Sequence, residues 1–241
     1  MQPGIHDAAT IFISTPLTMK KHILLFLFLI SFTTQAYNKK LELKTNSFIS
    51  NIEILSDKFN INKLAVQHAI RGYEKLKEAG QLINQRYLTI ADFSKPSSAK
   101  RLFIIDMQKM EIVVNTLVAH GRNSGVLFAK NFSNKNNSYQ SSLGFYITGE
   151  IYKGKHGMSL QLTGIETGIN DKAKQRAIVM HGADYVNDQL IQKQGYIGRS
   201  LGCPAVPQNQ VRDIIQTIKG ASLLYIYAPN TNYTKQSSYI S

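Results

Sequence analysis

Cys203 is the only cysteine of the chain. It stands in Gly198-Arg199-Ser200-Leu201-Gly202-Cys203-Pro204, downstream of a His181-Gly182 pair that closes an apolar run. A thiol attacks as its thiolate, and at its ordinary pKa of about 8.5 it supplies little of that form at neutral pH unless a base or a cation stands beside it. His181 is the first candidate for the base. Ala177-Ile178-Val179-Met180 reads as a buried strand that fixes an imidazole at its end, and Gly182 then lets the chain turn away. The stretch from His181 to Cys203 is long enough to fold back and bring imidazole and thiol within hydrogen-bond reach. Gly202 leaves the approach to a carbonyl carbon open, N–H groups around Gly202 and Cys203 can converge on an oxyanion, and Pro204 stiffens the exit.

Each of these residues also has a structural reading. An isolated cysteine is often a small buried hydrophobe. His181 fits a satisfied core histidine as well, and His120 and His156, both beside glycines, compete with it for the role of base. Arg199 reads equally as a solvated loop charge. Ser200 reads as a structural hydrogen-bonder rather than a nucleophile, because no Gly-x-Ser-x-Gly elbow surrounds it. No pair among His120, His156 and His181 has the spacing of a helical His-Glu-x-x-His motif, so neither a metal nor another cofactor is expected.

The elements that must position these groups begin after a leader. Lys20-Lys21-His22, the apolar stretch Ile23 to Ile30 with Phe32, and the small residues Thr34 and Ala36 follow the order of a secretory signal over residues 1–36, with Met19 as an alternative start. The apolar stretch is about half the roughly 20 residues that span a bilayer. Export to the periplasm or cell envelope is therefore expected, and there an unpaired thiol needs a chemical purpose. The chain carries a formal net charge of +13. Such a balance suits contact with an anionic wall or membrane surface. Nucleic acid is not expected as a partner, since no Cys/His finger or arginine-rich aromatic module is present.

Residues 37–98 read as a helical segment and linker. Ile52, Leu55, Leu64, Ala69, Ile70, Tyr73 and Leu76 recur at helical spacing, with Asn60 or Asn62 as an N-cap and Gly80 as a stop, which predicts two helices. Residues 99–230 read as one mostly β domain, a sandwich or barrel. Short β-branched and aromatic runs at 101–106, 112–119, 145–148, 159–162, 177–180 and 222–227 are divided by Gly, Asn and Ser clusters. One late helix interrupts them, carried by Val211, Ile214, Ile215 and Ile218 and stopped by Gly220. Residues 231–241 read as a flexible tail.

The ordered set Asp92-Phe93-Ser94, Val118-Ala119-His120-Gly121-Arg122-Asn123-Ser124-Gly125, Phe132-Ser133-Asn134, Ser141-Ser142-Leu143-Gly144-Phe145-Tyr146, Gly154-Lys155-His156-Gly157, His181-Gly182 and Gly198 to Cys203 resembles the murein L,D-transpeptidase catalytic domains over roughly residues 50–228. The resemblance implies a mostly β fold and a cysteine enzyme acting on peptidoglycan stem peptides. Cys203 would attack the carbonyl of an L-centre and expel a terminal D-alanine, and an amine or water would resolve the thioester. His181 would take the thiol proton, the Gly182 carbonyl would orient the imidazole, and the amides of Leu201, Gly202 and Cys203 would hold the oxyanion.

The chain departs from the family pattern at two positions. Leu201 replaces the histidine that many members carry before Gly-Cys, and Ala205 replaces an Arg or Asn two positions after the cysteine. Arg199, Arg176 and Ser200 are then the candidates to grip substrate. Two rival classes remain: a catalytically silent wall-binding protein with a buried Cys203, and a sortase-like acyltransferase pairing His120 with Arg212.

Overall fold

The computed structural model describes residues 56–240 and, before them, residues 35, 39, 50, 53 and 54. The chain divides into a unit of residues 1–50 and a unit of residues 51–241, and the second holds every element below. The expected leader, Gln35 excepted, lies outside the described residues, as do residues 47–49, 51, 52 and 55 of the first expected helix. Residues 53, 54 and 56–59 are helical. Among the described residues no helix is long and apolar enough to cross a membrane.

The second expected helix is α1, Lys63–Glu78. Asn62 caps it, its side chain accepting from the Leu64 and Ala65 amides, and Gly80 follows at φ +68°. Its buried stripe is Ala65, Val66, Ala69, Ile70, Gly72, Tyr73 and Leu76. A Cβ on Gly72 would lie 2.3 Å from the Phe145 ring, so the missing side chain is what lets the helix settle this close to the sheet.

Eight strands form one sheet: β1 (Tyr87–Asp92), β2 (Leu102–Asp106), β3 (Glu111–Thr116), β4 (Gly144–Gly154), β5 (Gly157–Gly164), β6 (Val179–Ala183), β7 (Ala205–Pro207) and β8 (Leu223–Tyr227). Their order is β3-β2-β1-β8-β4-β5-β6-β7, with parallel pairs only at β1–β8 and β6–β7. β2 and β8 are buried along their whole length, as their continuous apolar runs require. Beyond β3 the chain bends over to the opposite edge. Ala119 bridges Ala205, its N–H donating to the Ala205 carbonyl at 2.8 Å, and Gly121 bridges Ser200. These bridges draw the two edges together, so the sheet is a nearly closed barrel that is mostly β.

Several boundaries differ from the sequence reading. β1 belongs to the main sheet, paired with β2 and β8, although it lies within residues 37–98. β6 starts only after Ala177, whose φ of +52° breaks the extended run. His181 therefore sits in mid-strand, and Gly182 continues the strand opposite Val206 instead of turning the chain away.

The late helix is α3 (Val211–Ile218), and its four expected apolar residues are all buried. Two further helices accompany it. α2 (Asp188–Gln194) is capped by Asn187 and closed by Gly195 at φ +84°. α4 (Thr231–Gln236) lies in the segment expected to be a flexible tail. That segment is docked instead: Tyr233, Ser237 and Ile240 are buried, and Arg71 and Lys75 of α1 donate to the Ile240 and Ser238 carbonyls at 2.5 and 2.8 Å.

Candidate active site

β6 holds His181 between two strands, opposite Ser159 of β5 and opposite Ala205 of β7. The pairing with β7 is parallel, and Cys203 stands two residues ahead of Ala205, just before the stretch that pairs with the strand of His181. His181 is 2% exposed. Its Nδ1 lies 2.8 Å from the Gly182 carbonyl, so Nδ1 carries the hydrogen and Nε2 is left as the acceptor. Burial pulls its pKa below the usual histidine value. The Gly182 carbonyl opposes that shift, and His156, whose ring is stacked on His181 at 4.2 Å, adds to it.

Cys203 leaves a turn that Ser200 holds internally. The Ser200 hydroxyl accepts from the Gly202 amide at 3.1 Å and donates to the Cys203 carbonyl at 2.6 Å. The Ser141 hydroxyl donates to the Gly202 carbonyl at 3.2 Å. The Ser200 amide donates to the His120 carbonyl at 3.0 Å. Gly202 has φ +125°, and a Cβ there would meet the Gln140 carbonyl at 2.9 Å, so this turn requires glycine.

The thiol donates to the Ala177 carbonyl at 3.7 Å. Burial pushes its pKa up, against the Val179 amide, Arg176 and its own amide, which pull it down. Among the described residues no hydrogen bond joins Sγ to His181, and the thiol rests against the Ala177 carbonyl just ahead of β6.

These contacts correct three expectations. The Gly202 amide, expected as an oxyanion donor, is committed to Ser200, whereas the amides of Leu201 and Cys203 donate to no oxygen among the described residues. Ser200 is buried and its hydroxyl is spent within the turn, so it has nothing to offer a substrate. Arg176 does not reach outward. Its Nη1 donates to the Ser133 carbonyl at 2.7 Å and the Ser142 hydroxyl at 2.5 Å, and its Nη2 to the Ser138 hydroxyl at 3.2 Å and the Gln140 carbonyl at 2.5 Å. It is the clasp of the loop 133–142, and its charge lies near the thiol. Arg199 makes one long bond, 3.5 Å to the Gly125 carbonyl, and keeps donors for a ligand. Leu201, two residues before Cys203, is 57% exposed.

His120 is removed from the contest for the base. It is fully buried, with Arg101 Nη2 donating to Nδ1 at 2.7 Å and Nε2 donating to the Gly125 carbonyl at 3.1 Å. Burial, then the Arg101 charge, pull its pKa down to about 4. Arg101 is itself fully buried, bonded to the Val118 and Lys95 carbonyls and stacked 4.6 Å from the Phe93 ring. Through the His120 carbonyl, which accepts from the Ser200 amide, this pair supports the turn that leads to Cys203. Arg101 went unnoticed in the sequence because it opens a strand like any flanking cation. Its only signal is the company of Phe93, Val118 and His120 in the quoted motifs. Among the described residues no three His, Cys, Asp or Glu side chains group to hold a metal.

The L,D-transpeptidase catalytic domain matches this chain over residues 57–227, and the chain belongs to that family. Among solved structures it is similar to an L,D-transpeptidase from Mycobacterium smegmatis (11% identity, 59% of each chain covered, TM-score 0.37). It is also similar to a variant of the helical cell shape determining protein Pgp2 from Campylobacter jejuni (15% identity, 68% of this chain and 57% of that one, TM-score 0.39). A third is an L,D-transpeptidase from Stackebrandtia nassauensis (11% identity, 75% of this chain and 77% of that one, TM-score 0.36). The chain thus spans less than two thirds of the length of the first two. No curated protein matches it.

Proposed function

We propose that the protein is an exported L,D-acyl transferase of peptidoglycan, with Cys203 as nucleophile and His181 as general base. The observation that carries this reading is the β6–β7 pairing. In support of it, Cys203 leaves a glycine-requiring turn with two uncommitted amides two residues before Ala205, the β7 partner of His181, and the His181 tautomer leaves Nε2 as an acceptor. Nε2 takes the thiol proton as Sγ attacks the carbonyl of the L-centre in a tetrapeptide stem. The Leu201 and Cys203 amides receive the oxyanion, and the protonated imidazole returns its proton to the amine of the departing D-alanine. The C–N bond breaks and a thioester remains on Cys203. An amine from a second stem, a D-amino acid or water then attacks the thioester, giving its proton to His181, and the thiolate departs.

The second reading, a silent wall-binding protein, draws on the thiol's rest against the Ala177 carbonyl. One experiment separates the two. Purified protein is incubated with a disaccharide tetrapeptide and an excess of a different D-amino acid, and the products are followed by mass spectrometry. Loss or exchange of D-alanine is expected. Cys203→Ala should abolish it, and His181→Ala should slow it about 10²–10⁴-fold. Turnover retained in either folded variant removes the corresponding role. No turnover on varied stems, with Cys203 inert to thiol probes, leaves the wall-binding reading.

A further inference from the structure

The turn joining β4 to β5 carries His156 over the His181 ring. Lys155 and His156 form the two-residue connection between the paired Gly154 and Gly157, and Gly157 takes φ +78°. Such a hairpin asks for Gly, Asn or Asp at its tip, and nothing in its pairing calls for an aromatic ring. Yet the two imidazoles stack, 4.2 Å between centroids and 18° between planes. His156 is itself exposed, while the His181 ring stacked on it is buried.

We propose that His156 is a positioning residue for proton transfer from Cys203: stacked on the His181 ring, it holds that ring in the plane from which Nε2 takes the thiol proton. The Gly182 carbonyl fixes His181 at Nδ1 alone, and a ring held at one atom still rocks about that bond. A second ring stacked at van der Waals distance removes the rocking. His156 touches neither thiol nor substrate in this account and acts only through His181. The inference rests on the assignment of His181 as the base.

The test uses the full chain and the variants His156→Ala, which removes the ring, and His156→Phe, which restores a flat ring without a titratable group. Two rates are read: alkylation of Cys203 by iodoacetamide, which needs no peptide substrate, and kcat and KM for D-alanine release from a disaccharide tetrapeptide. His156→Ala should lower both the alkylation rate and kcat about tenfold with KM within about twofold, and His156→Phe should recover most of the loss. Wild-type rates in His156→Ala, a change confined to KM, or a His156→Phe no better than His156→Ala would overturn the inference. Should no stem be turned over, the alkylation series still decides the role of His156. Turnover with an indifferent His156→Ala would overturn the positioning role alone.

Discussion

Among single residues, protonation decides how the site works. Burial raises the Cys203 thiol and lowers the His181 imidazole, which favours the uncharged form of each; in the proposed mechanism the proton then moves only as the thiol attacks. Iodoacetamide alkylation of Cys203 should then keep rising with pH beyond about pH 8, where a free thiol ordinarily begins to ionise. A plateau already reached near neutrality would mean a preformed thiolate and a different resting state. His120 gives a second pH effect. Its folded pKa, about 4, lies below the ordinary 6.5, so the fold holds the neutral ring. Its stabilisation is therefore complete above pH 6.5 and lost as pH falls from there through about 4, by at most roughly 3 kcal/mol. Urea unfolding of wild type and His120→Gln across that window checks this, the variant losing the slope; equal slopes would contradict it. Cys203 and His181 stand out in the sequence by residue type and order, and the contact of the His181 ring with the Gly182 carbonyl is the one the family resemblance implies. Ser200 was legible as a structural hydrogen-bonder, but that both it and Arg176 are occupied within loops rather than on a substrate was not. Which donors remain free depends on the partners a folded chain supplies.

For the elements, the turn 200–203 and the strand pair beneath it set the geometry. Gly202→Ala places a Cβ 2.9 Å from the Gln140 carbonyl at a φ of +125°. It should cost about 1–3 kcal/mol of local strain and displace Cys203, lowering kcat far more than it lowers the melting temperature. A variant with wild-type kcat would show that the turn tolerates rearrangement. Strands with continuous apolar runs, β2 and β8, were read nearly residue for residue, as was α3 from its 3.6-residue stripe. β7 escaped notice because three residues, Ala205 to Pro207, are too few to show a period. α2 escaped because its apolar stripe is short, although Asn187 before Asp188 and Gly195 after Gln194 mark both of its ends.

At the scale of the whole molecule, the C-terminal segment is part of the folded domain. Glu166 is buried and accepts from the Phe145 amide at 2.7 Å, from the Tyr233 hydroxyl at 3.3 Å and from the Ser237 hydroxyl. Those last two partners come from residues whose polar composition reads as a solvated tail; the carboxylate that docks them lies far upstream, where no local pattern connects the two. Removing residues 231–241 leaves Glu166 with the Phe145 amide as its one remaining donor among these three. The truncation should therefore destabilise the domain by about 3 kcal/mol or more, read as a fall in the urea midpoint. An unchanged midpoint would return the segment to a flexible tail. The claim on which the rest depends is the covalent step, and intact-protein mass spectrometry addresses it most directly. Protein mixed with a tetrapeptide stem and quenched in acid should carry the mass of the stem less D-alanine, localised to Cys203 by proteolysis and absent from Cys203→Ala. Turnover without any such adduct on Cys203, in rapidly quenched samples spanning the first cycle, would contradict the account.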